Sequence, residues 1–133
     1  MAMGIQQQVE SLLHATNAVG GYPMSLVCTD QGLVVASVGD RHADDSVAAF
    51  TSLFDDVVVR ARRDLGFDMV DEVTLLDPSN GRTLIRPLPI VGTPRFFLVV
   101  RVPTKHTWRR NTNALIRQLV AVLGHLVDDE VAS

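Results

Sequence analysis

The feature that most constrains the possible folds of this chain is a short hairpin followed by a long helical stretch. Two apolar segments, Met24–Cys28 and Leu33–Val38, flank a four-residue turn, Thr29-Asp30-Gln31-Gly32. Asp can hydrogen-bond its own backbone two residues on, and Gly accepts the positive φ that a tight turn between twisted strands requires. Both segments are apolar enough on both faces to lie centrally in a sheet. We therefore predict two paired central strands followed by one long helix over Asp44–Leu65.

The chain has the size and composition of one folded domain. Its 133 residues, 47% of them hydrophobic and 20% charged, are enough to bury a core and too apolar for a disordered segment. The formal net charge of −3 gives no long-range attraction to phosphate backbones or anionic lipid. Protein partners are therefore better candidates than nucleic acid or a membrane. We expect a single domain over residues 1–133.

The sequence also favours an intracellular protein. Its single cysteine, Cys28, cannot form an internal disulfide, and its neighbours Leu26 and Val27 indicate a buried strand rather than a reactive thiol. The first residues lack a basic segment followed by an apolar run, and no stretch approaches the roughly 18 apolar residues of a spanning helix. We expect a cytoplasmic location.

Helical spacing predicts the first two helices. The first begins at Ile5 and ends at Gly20-Gly21. The second has Asp44 at its N-cap position and Asp45 in its first turn. One face of the second helix is predicted to pack on the sheet through residues three and four apart: Val47, Phe50, Phe54, Val57, Val58, Ala61 and Leu65. Its outer side allows a second buried contact, through Ala48, Ala49, Ser52, Leu53 and Val59.

A second hairpin is predicted in the middle of the chain. Val73–Leu76 and Thr83–Leu88 flank Pro78-Ser79-Asn80-Gly81, and Asn-Gly supplies the left-handed conformations of a tight turn. Prolines at 87, 89 and 94 lack the backbone donor of a central ladder. We therefore predict that Pro87–Pro94 is a loop or a frayed strand end.

One more strand and a last helix complete the predicted elements. Phe96–Val100 is a continuous apolar run that Pro103 ends. The last helix is predicted over Trp108–Val127, with Trp108 as a core anchor at its start. Its apolar face consists of Leu115, Ile116, Leu119, Val122, Leu123 and Leu126.

No motif indicates catalysis, a cofactor or a metal. The four histidines, at 14, 42, 106 and 125, are scattered without metal-ligand spacing. The carboxylate pairs Asp44-Asp45, Asp55-Asp56 and Asp128-Asp129 are neighbours that point about a hundred degrees apart in a helix, so helix caps and solvated faces explain them. Neither G-x-x-x-x-G-K-[ST] nor G-x-G-x-x-G occurs. We expect a protein that is not an enzyme.

Five segments together resemble the roadblock or dynein light-chain family, of profilin-like, longin-related fold. They are Ser25–Ser37, Val47-Ala48-Ala49, Asp71–Leu75, Asn80-Gly81 and Phe96–Val100. The resemblance implies an α/β (α+β) three-layer sandwich with a central five-stranded antiparallel sheet, in the order α-β-β-α-β-β-β-α. The first and last helices are expected on one face of the sheet and the long helix on the other.

The resemblance also implies how the chain works. In that family two subunits pair through the long helix and the third strand, and bacterial and archaeal members often act beside small Ras-like GTPases. The implied interface, with itself or a paralogous subunit, consists of Ala48, Ala49, Ser52, Leu53, Asp56, Val73, Thr74, Leu75 and Leu76. The implied function is a non-enzymatic dimeric regulator or scaffold of a small GTPase.

Two alternatives remain for the function, and two interpretations for the arginines. A structural subunit of a motor or signalling complex needs only a dimer and a docking surface, and a PAS- or GAF-like sensor would hold a small molecule against the sheet.

The basic clusters Arg60-Ala61-Arg62-Arg63 and Trp108-Arg109-Arg110 offer an arginine to a GTPase site. For the first cluster, complementing the helix dipole is the simpler explanation.

Overall fold

The computed structural model describes residues 3–39, 47, 51 and 53–127. Its helices are α1 (Ile5–Gly20), α2 (Phe54–Leu65) and α3 (Arg109–Leu123), and a short 3-10 turn, Gly124–Leu126, follows α3. Its strands are β1 (Met24–Thr29), β2 (Val34–Val38), β3 (Val73–Asp77), β4 (Gly81–Pro87) and β5 (Phe96–Val102). This order of elements is the predicted one.

The five strands form one antiparallel sheet in the order β2-β1-β5-β4-β3. Strand β5 lies at the centre, and its residues Phe96–Val100 are all buried. The prediction that both strands of the first hairpin are central holds for β1 but is wrong for β2, which lies at an edge. Pro87 ends β4 opposite Phe97, and one further backbone hydrogen bond, from the Leu88 N–H to the Phe96 carbonyl at 2.9 Å, follows it.

Helices cover both faces of the sheet, which gives the predicted three layers. On one face α1 and α3 bury Val9, Leu13, Leu115 and Leu119 against the sheet. On the other face α2 packs through Phe54 and Val58. The ring of Phe54 meets that of Phe97 edge to face, with centroids 5.5 Å apart and an interplanar angle of 75°.

The first hairpin turn is organised by Thr29 rather than by Asp30. The Thr29 hydroxyl accepts hydrogen bonds from the backbone N–H of Gln31 and of Leu33, both at 3.3 Å. Gly32 has φ of 79°, and its N–H donates to the Thr29 carbonyl at 2.9 Å. The predicted role of Gly is therefore confirmed, whereas the side-chain acceptor is the threonine one residue earlier.

The second hairpin turn is closed by Asp77. Its Oδ1 accepts from the Ser79 N–H at 2.9 Å, and its Oδ2 accepts from the Asn80 amide at 2.6 Å. These bonds hold the pKa of the Asp77 carboxyl below its usual value. Gly81 has φ of 92°, as predicted, but the prediction is wrong for Asn80, which is not among the described non-glycine residues with positive φ.

The predicted start of the long helix at Asp44 and Asp45 lies outside the described residues. Before α2, Val47 and Thr51 are helical, and the Thr51 hydroxyl donates to the Val47 carbonyl at 2.7 Å. The predicted inward stripe is wrong at Val57 and Leu65, which are exposed. Val57 is turned about 100° from Val58, and only one of two neighbours can point at the sheet.

The last helix is shorter than predicted. The α-helix ends at Leu123, and Leu126 is exposed rather than part of the buried face. Helix propensity is low at Gly124, where the chain tightens into the 3-10 turn. Trp108 occupies the N-cap position of α3 and packs partly buried against the core, as predicted.

Candidate functional surface

Strand β3 forms an open edge of the sheet. It pairs with β4 on one side, and in the described part of the chain no strand pairs with its other side. Its register with β4 is regular along the whole strand. Leu75 and Leu76 are 46% and 55% exposed. A regular, exposed apolar edge is a template for pairing with another strand.

Strand β2, at the opposite edge, is interrupted by a bulge. The β1–β2 register changes between the pairs Val27↔Ala36 and Cys28↔Val34, so Val35 is an extra residue on β2. A bulge bends an edge strand and disrupts its row of unpaired backbone groups, which is one way in which proteins avoid edge pairing. The two edges therefore differ, because β3 is regular and β2 is not.

The outer side of α2 is apolar near its start. Leu53 and Val57 each precede an inward-pointing residue by one position, which turns them about 100° away from the sheet. Leu53 is 57% exposed, and Val57 and Asp56 are exposed as well. The structure therefore leaves two predicted interface residues, Leu53 and Asp56, open to a partner. The predicted positions Ala48, Ala49 and Ser52 lie outside the described residues.

Strand β3 and α2 contribute to the same hydrophobic cluster on one face of the sheet. Val73 packs against the buried cluster that contains Phe54. Because side chains alternate along a strand, Leu75 shares the face of Val73, and Thr74 and Leu76 share the other. The open edge thus carries apolar side chains on both faces, and one of these faces is the one that α2 covers.

A buried arginine on β4 ties the start of β3 to α3. The Arg86 side chain is 8% exposed. Its Nη1 donates to Thr112 Oγ1 at 2.9 Å and to Asn113 Oδ1 at 2.7 Å, and its Nε donates to the Asp71 carbonyl at 3.3 Å. Burial lowers the pKa of Arg86, and the neighbouring charge of Arg109 acts in the same direction.

The first residues of α3 hold the two carboxylates before β3. Arg109 donates to Asp71 Oδ2 at 3.0 Å and to Glu72 Oε1 at 3.2 Å. The Trp108 indole N–H donates to Glu72 Oε1 at 3.1 Å, and the Arg82 guanidinium lies 5.1 Å from the centre of the Trp108 ring. Sequence reasoning singled out Asp71–Leu75 and the Trp108 cluster separately but missed their contact, since no local spacing connects them.

The two basic clusters have different environments. Arg60, Arg62 and Arg63 are exposed along the second half of α2, and Arg63 pairs with Asp64 at 2.9 Å. This position near the C-terminal end of the helix agrees with the helix-dipole interpretation. Arg109, in contrast, is engaged within the chain by Asp71 and Glu72.

Chemically reactive side chains are few in the described part of the chain. Cys28 is buried, and burial raises the pKa of its thiol to about 12, although a hydrogen bond with Thr51 opposes the shift. His14, His106 and His125 are exposed, and His42 lies outside the described residues. Among described residues no group of three or more His, Cys, Asp or Glu side chains could hold a metal ion.

No helix in the described ranges is both long enough and apolar enough to cross a membrane.

Comparison with known proteins identifies the fold. No family model and no curated protein matches the sequence. Among solved structures, Myxococcus xanthus MglB matches with a TM-score of 0.78 and 12% identity over 98% of each chain. An MglB structure with a tetrameric arrangement matches with a TM-score of 0.76 and 12% identity over 96% of each chain. A roadblock/LC7 domain from Streptomyces avermitilis matches with a TM-score of 0.63 and 15% identity, over 88% of this chain and 92% of that one.

A profilin shares the fold more distantly. LokiProfilin1, solved in complex with rabbit actin, matches with a TM-score of 0.52 and 11% identity, over 96% of this chain and 100% of that one. The chain therefore has the roadblock/LC7 fold, of profilin-like type, as the family resemblance implied.

Proposed function

We propose that this chain, which has the roadblock/LC7 fold, belongs to the roadblock family and forms a dimer through α2 and β3. The observation that carries the proposal is the difference between the two sheet edges. Strand β3 is regular and exposes Leu75 and Leu76, whereas β2 is bulged. Of the two sheet edges that the described residues form, β3 is the one that offers a partner strand a continuous ladder.

The proposed dimer is two-fold symmetric. Antiparallel pairing of β3 with its copy joins two five-stranded sheets into one, and such an interface uses the same patch on both subunits. Because α2 covers the face of the sheet that includes Val73, the pairing brings the two α2 helices towards each other. Leu53 and Val57, exposed in the single chain, then become buried against the partner.

As its activity we propose a non-enzymatic regulator or scaffold of a small Ras-like GTPase, acting in the cytoplasm. Support comes from the likeness in fold to MglB and from the family resemblance in the sequence. The sequence has no phosphate-cradling glycine motif, so the nucleotide would be bound by the partner. A structural subunit of a larger complex uses the same dimer, and only a partner experiment separates the two.

The dimer is tested by the variant Leu53→Asp. A carboxylate in the buried interface has no partner charge, so we expect the variant to be a monomer by light scattering where the wild type is a dimer. Val19→Asp is the matched control, because Val19 is also exposed but lies on α1. A dimer mass unchanged by Leu53→Asp would overturn the interface.

The partner is tested by capture from native lysate. The tagged protein is incubated with lysate in parallel with GDP and with a non-hydrolysable GTP analogue, and bound proteins are identified by mass spectrometry. We expect a small GTPase that is captured preferentially with one nucleotide. Capture of other proteins with no GTPase in either arm would favour the structural subunit.

A further inference from the structure

A cavity of about 370 Å³ opens where β4 ends. Its apolar walls include Val58 from α2, Leu88 from the segment after β4 and Ile116 from α3. Its volume lies in the range of about 300–1,000 Å³ that is typical of small-molecule sites. The cavity is at the end of the sheet, whereas a PAS- or GAF-like sensor would hold its ligand against the face of the sheet.

One polar group in the cavity wall lacks a hydrogen bond. Arg86 lines the cavity with its side chain only 8% exposed. Its Nε and Nη1 have acceptors within 3.3 Å, but within the described residues no acceptor lies at hydrogen-bond distance from Nη2. The carboxylate oxygen paired with Nη2 is Asp71 Oδ2, at 3.9 Å. Nη2 is not among the buried polar atoms that lack a partner, so it is accessible from the cavity, and an anion there would accept a charge-assisted hydrogen bond from it.

The charges around the cavity favour an anion with a single charge. Two guanidinium groups, of Arg62 and Arg86, line it together with one carboxylate, of Asp71. Asp71 Oδ2 already accepts a hydrogen bond from Arg109 at 3.0 Å, so this carboxylate is committed elsewhere. The lining side chains carry one net positive charge, and Glu72 Oε1, 3.9 Å from Arg86 Nε, offsets part of it, so a singly charged anion balances the wall more closely than a doubly charged phosphate.

We propose that this cavity binds a small carboxylic acid with an apolar body. The ligand carboxylate accepts a hydrogen bond from Arg86 Nη2, and its apolar body contacts Val58, Leu88 and Ile116. No residue of the proposed dimer surface lines this cavity. The cavity shares α2 and the residues before β3 with the proposed dimer, but the exposed side chains of the dimer surface do not line it, so ligand binding and dimer mass are measured separately.

The first test compares three probes by NMR titration of the isotopically labelled full chain. Octanoate supplies both the carboxylate and the apolar body, octanol lacks the charge, and inorganic phosphate lacks the apolar body. We expect octanoate to shift the amide resonances of Val58, Leu88 and Ile116 saturably, at concentrations below its micelle formation. A charge-assisted hydrogen bond implies that octanol binds at least about tenfold more weakly.

The second test changes the charge beside the cavity without touching the buried network. Met69 lines the cavity and is 74% exposed, so its substitution leaves the core intact. Met69→Glu is expected to weaken octanoate binding about fivefold relative to Met69→Gln, because the two differ only in charge. Val19→Glu, at a position that is 77% exposed on α1, controls for the change in net charge and is expected to bind as the wild type does.

Three results would overturn the site. They are shifts by octanoate that do not saturate or that lie away from this cavity, equal affinity for octanoate and octanol, and tighter binding of phosphate than of octanoate. Equal binding by Met69→Glu and Met69→Gln would also contradict it. The mass of each variant by light scattering shows separately whether the dimer is intact.

Discussion

Arg86 on β4 donates a hydrogen bond of 2.7 Å to Asn113 Oδ1 on α3, which joins the sheet to the helical layer above it. The same guanidinium holds the Asp71 carbonyl, two residues before β3 begins. This arginine therefore fixes the start of the edge strand through which we propose that the chain dimerises.

Arg86→Met is expected to destabilise the fold. The methionine fills similar volume but leaves Asn113 and the Asp71 carbonyl without their donor, and the loss of such bonds costs about 1–3 kcal/mol. Urea unfolding measures the change in the free energy of unfolding. Arg110→Met is the control, because Arg110 is exposed on α3, the helix that carries Asn113, and this variant is expected to change the free energy of unfolding little. Equal effects of the two substitutions would show that the buried hydrogen bonds contribute nothing.

Leu75→Lys is expected to weaken dimerisation without unfolding the chain. A lysine on an edge strand opposes strand pairing because its charge must be buried in the joint sheet, and Leu75 is already 46% exposed in the single chain. We expect the dimer dissociation constant to rise at least about tenfold by sedimentation. Leu33→Lys, beside the first hairpin turn, is the matched control. If both variants dimerise like the wild type, β3 is not the pairing edge.

Cys28 is expected to resist alkylation in the folded protein. Burial raises its pKa from the ordinary value of 9.0 to about 12, which lowers the thiolate fraction at pH 8 by about a thousandfold. The rate of reaction with iodoacetamide, followed by mass spectrometry, should therefore depend on unfolding. Protein unfolded in urea provides the reference rate. Rapid modification without denaturant would contradict the buried position.

Asp77 is expected to make folding sensitive to acid. The Ser79 N–H and the Asn80 amide lower its pKa in the folded state. Its contribution to stability is therefore present above the unfolded carboxyl pKa of about 3.9 and is lost as the pH falls through the lower folded value.

Asp77→Asn removes this titration, so the free energy of unfolding should depend less steeply on pH in that acidic window. Asp68→Asn, an exposed position outside the turn, is the control. If the free energy of unfolding depends on pH in the same way for the wild type and for Asp77→Asn, the hydrogen bonds of the turn do not stabilise the ionised Asp77 carboxylate.

Much of the fold follows from local patterns in the sequence. The α1 bounds, both hairpins and the central Phe96 strand are visible because helical spacing, continuous apolar runs and glycine-containing turns each report a backbone conformation over a few residues. Helical spacing also placed Leu53 and Val59 on the outer side of the helix, and both are exposed, whereas Asp56 entered the candidate surface through the family resemblance. Val57 was assigned to the wrong side, because adjacent apolar residues leave the direction of a helical stripe ambiguous.

Strand order is a property of the tertiary structure. Apolar residues in β2 and β3 do not say which strand lies at an edge, because that depends on pairings between strands far apart in the chain. The same reason explains why Arg86 was missed, since its acceptors on α3 lie 26 and 27 residues away. The sequence by itself determined the elements and their order, through short-range backbone preferences. Only the packing of these elements decided which edge is open, which apolar side chains stay exposed and which arginine lines a cavity.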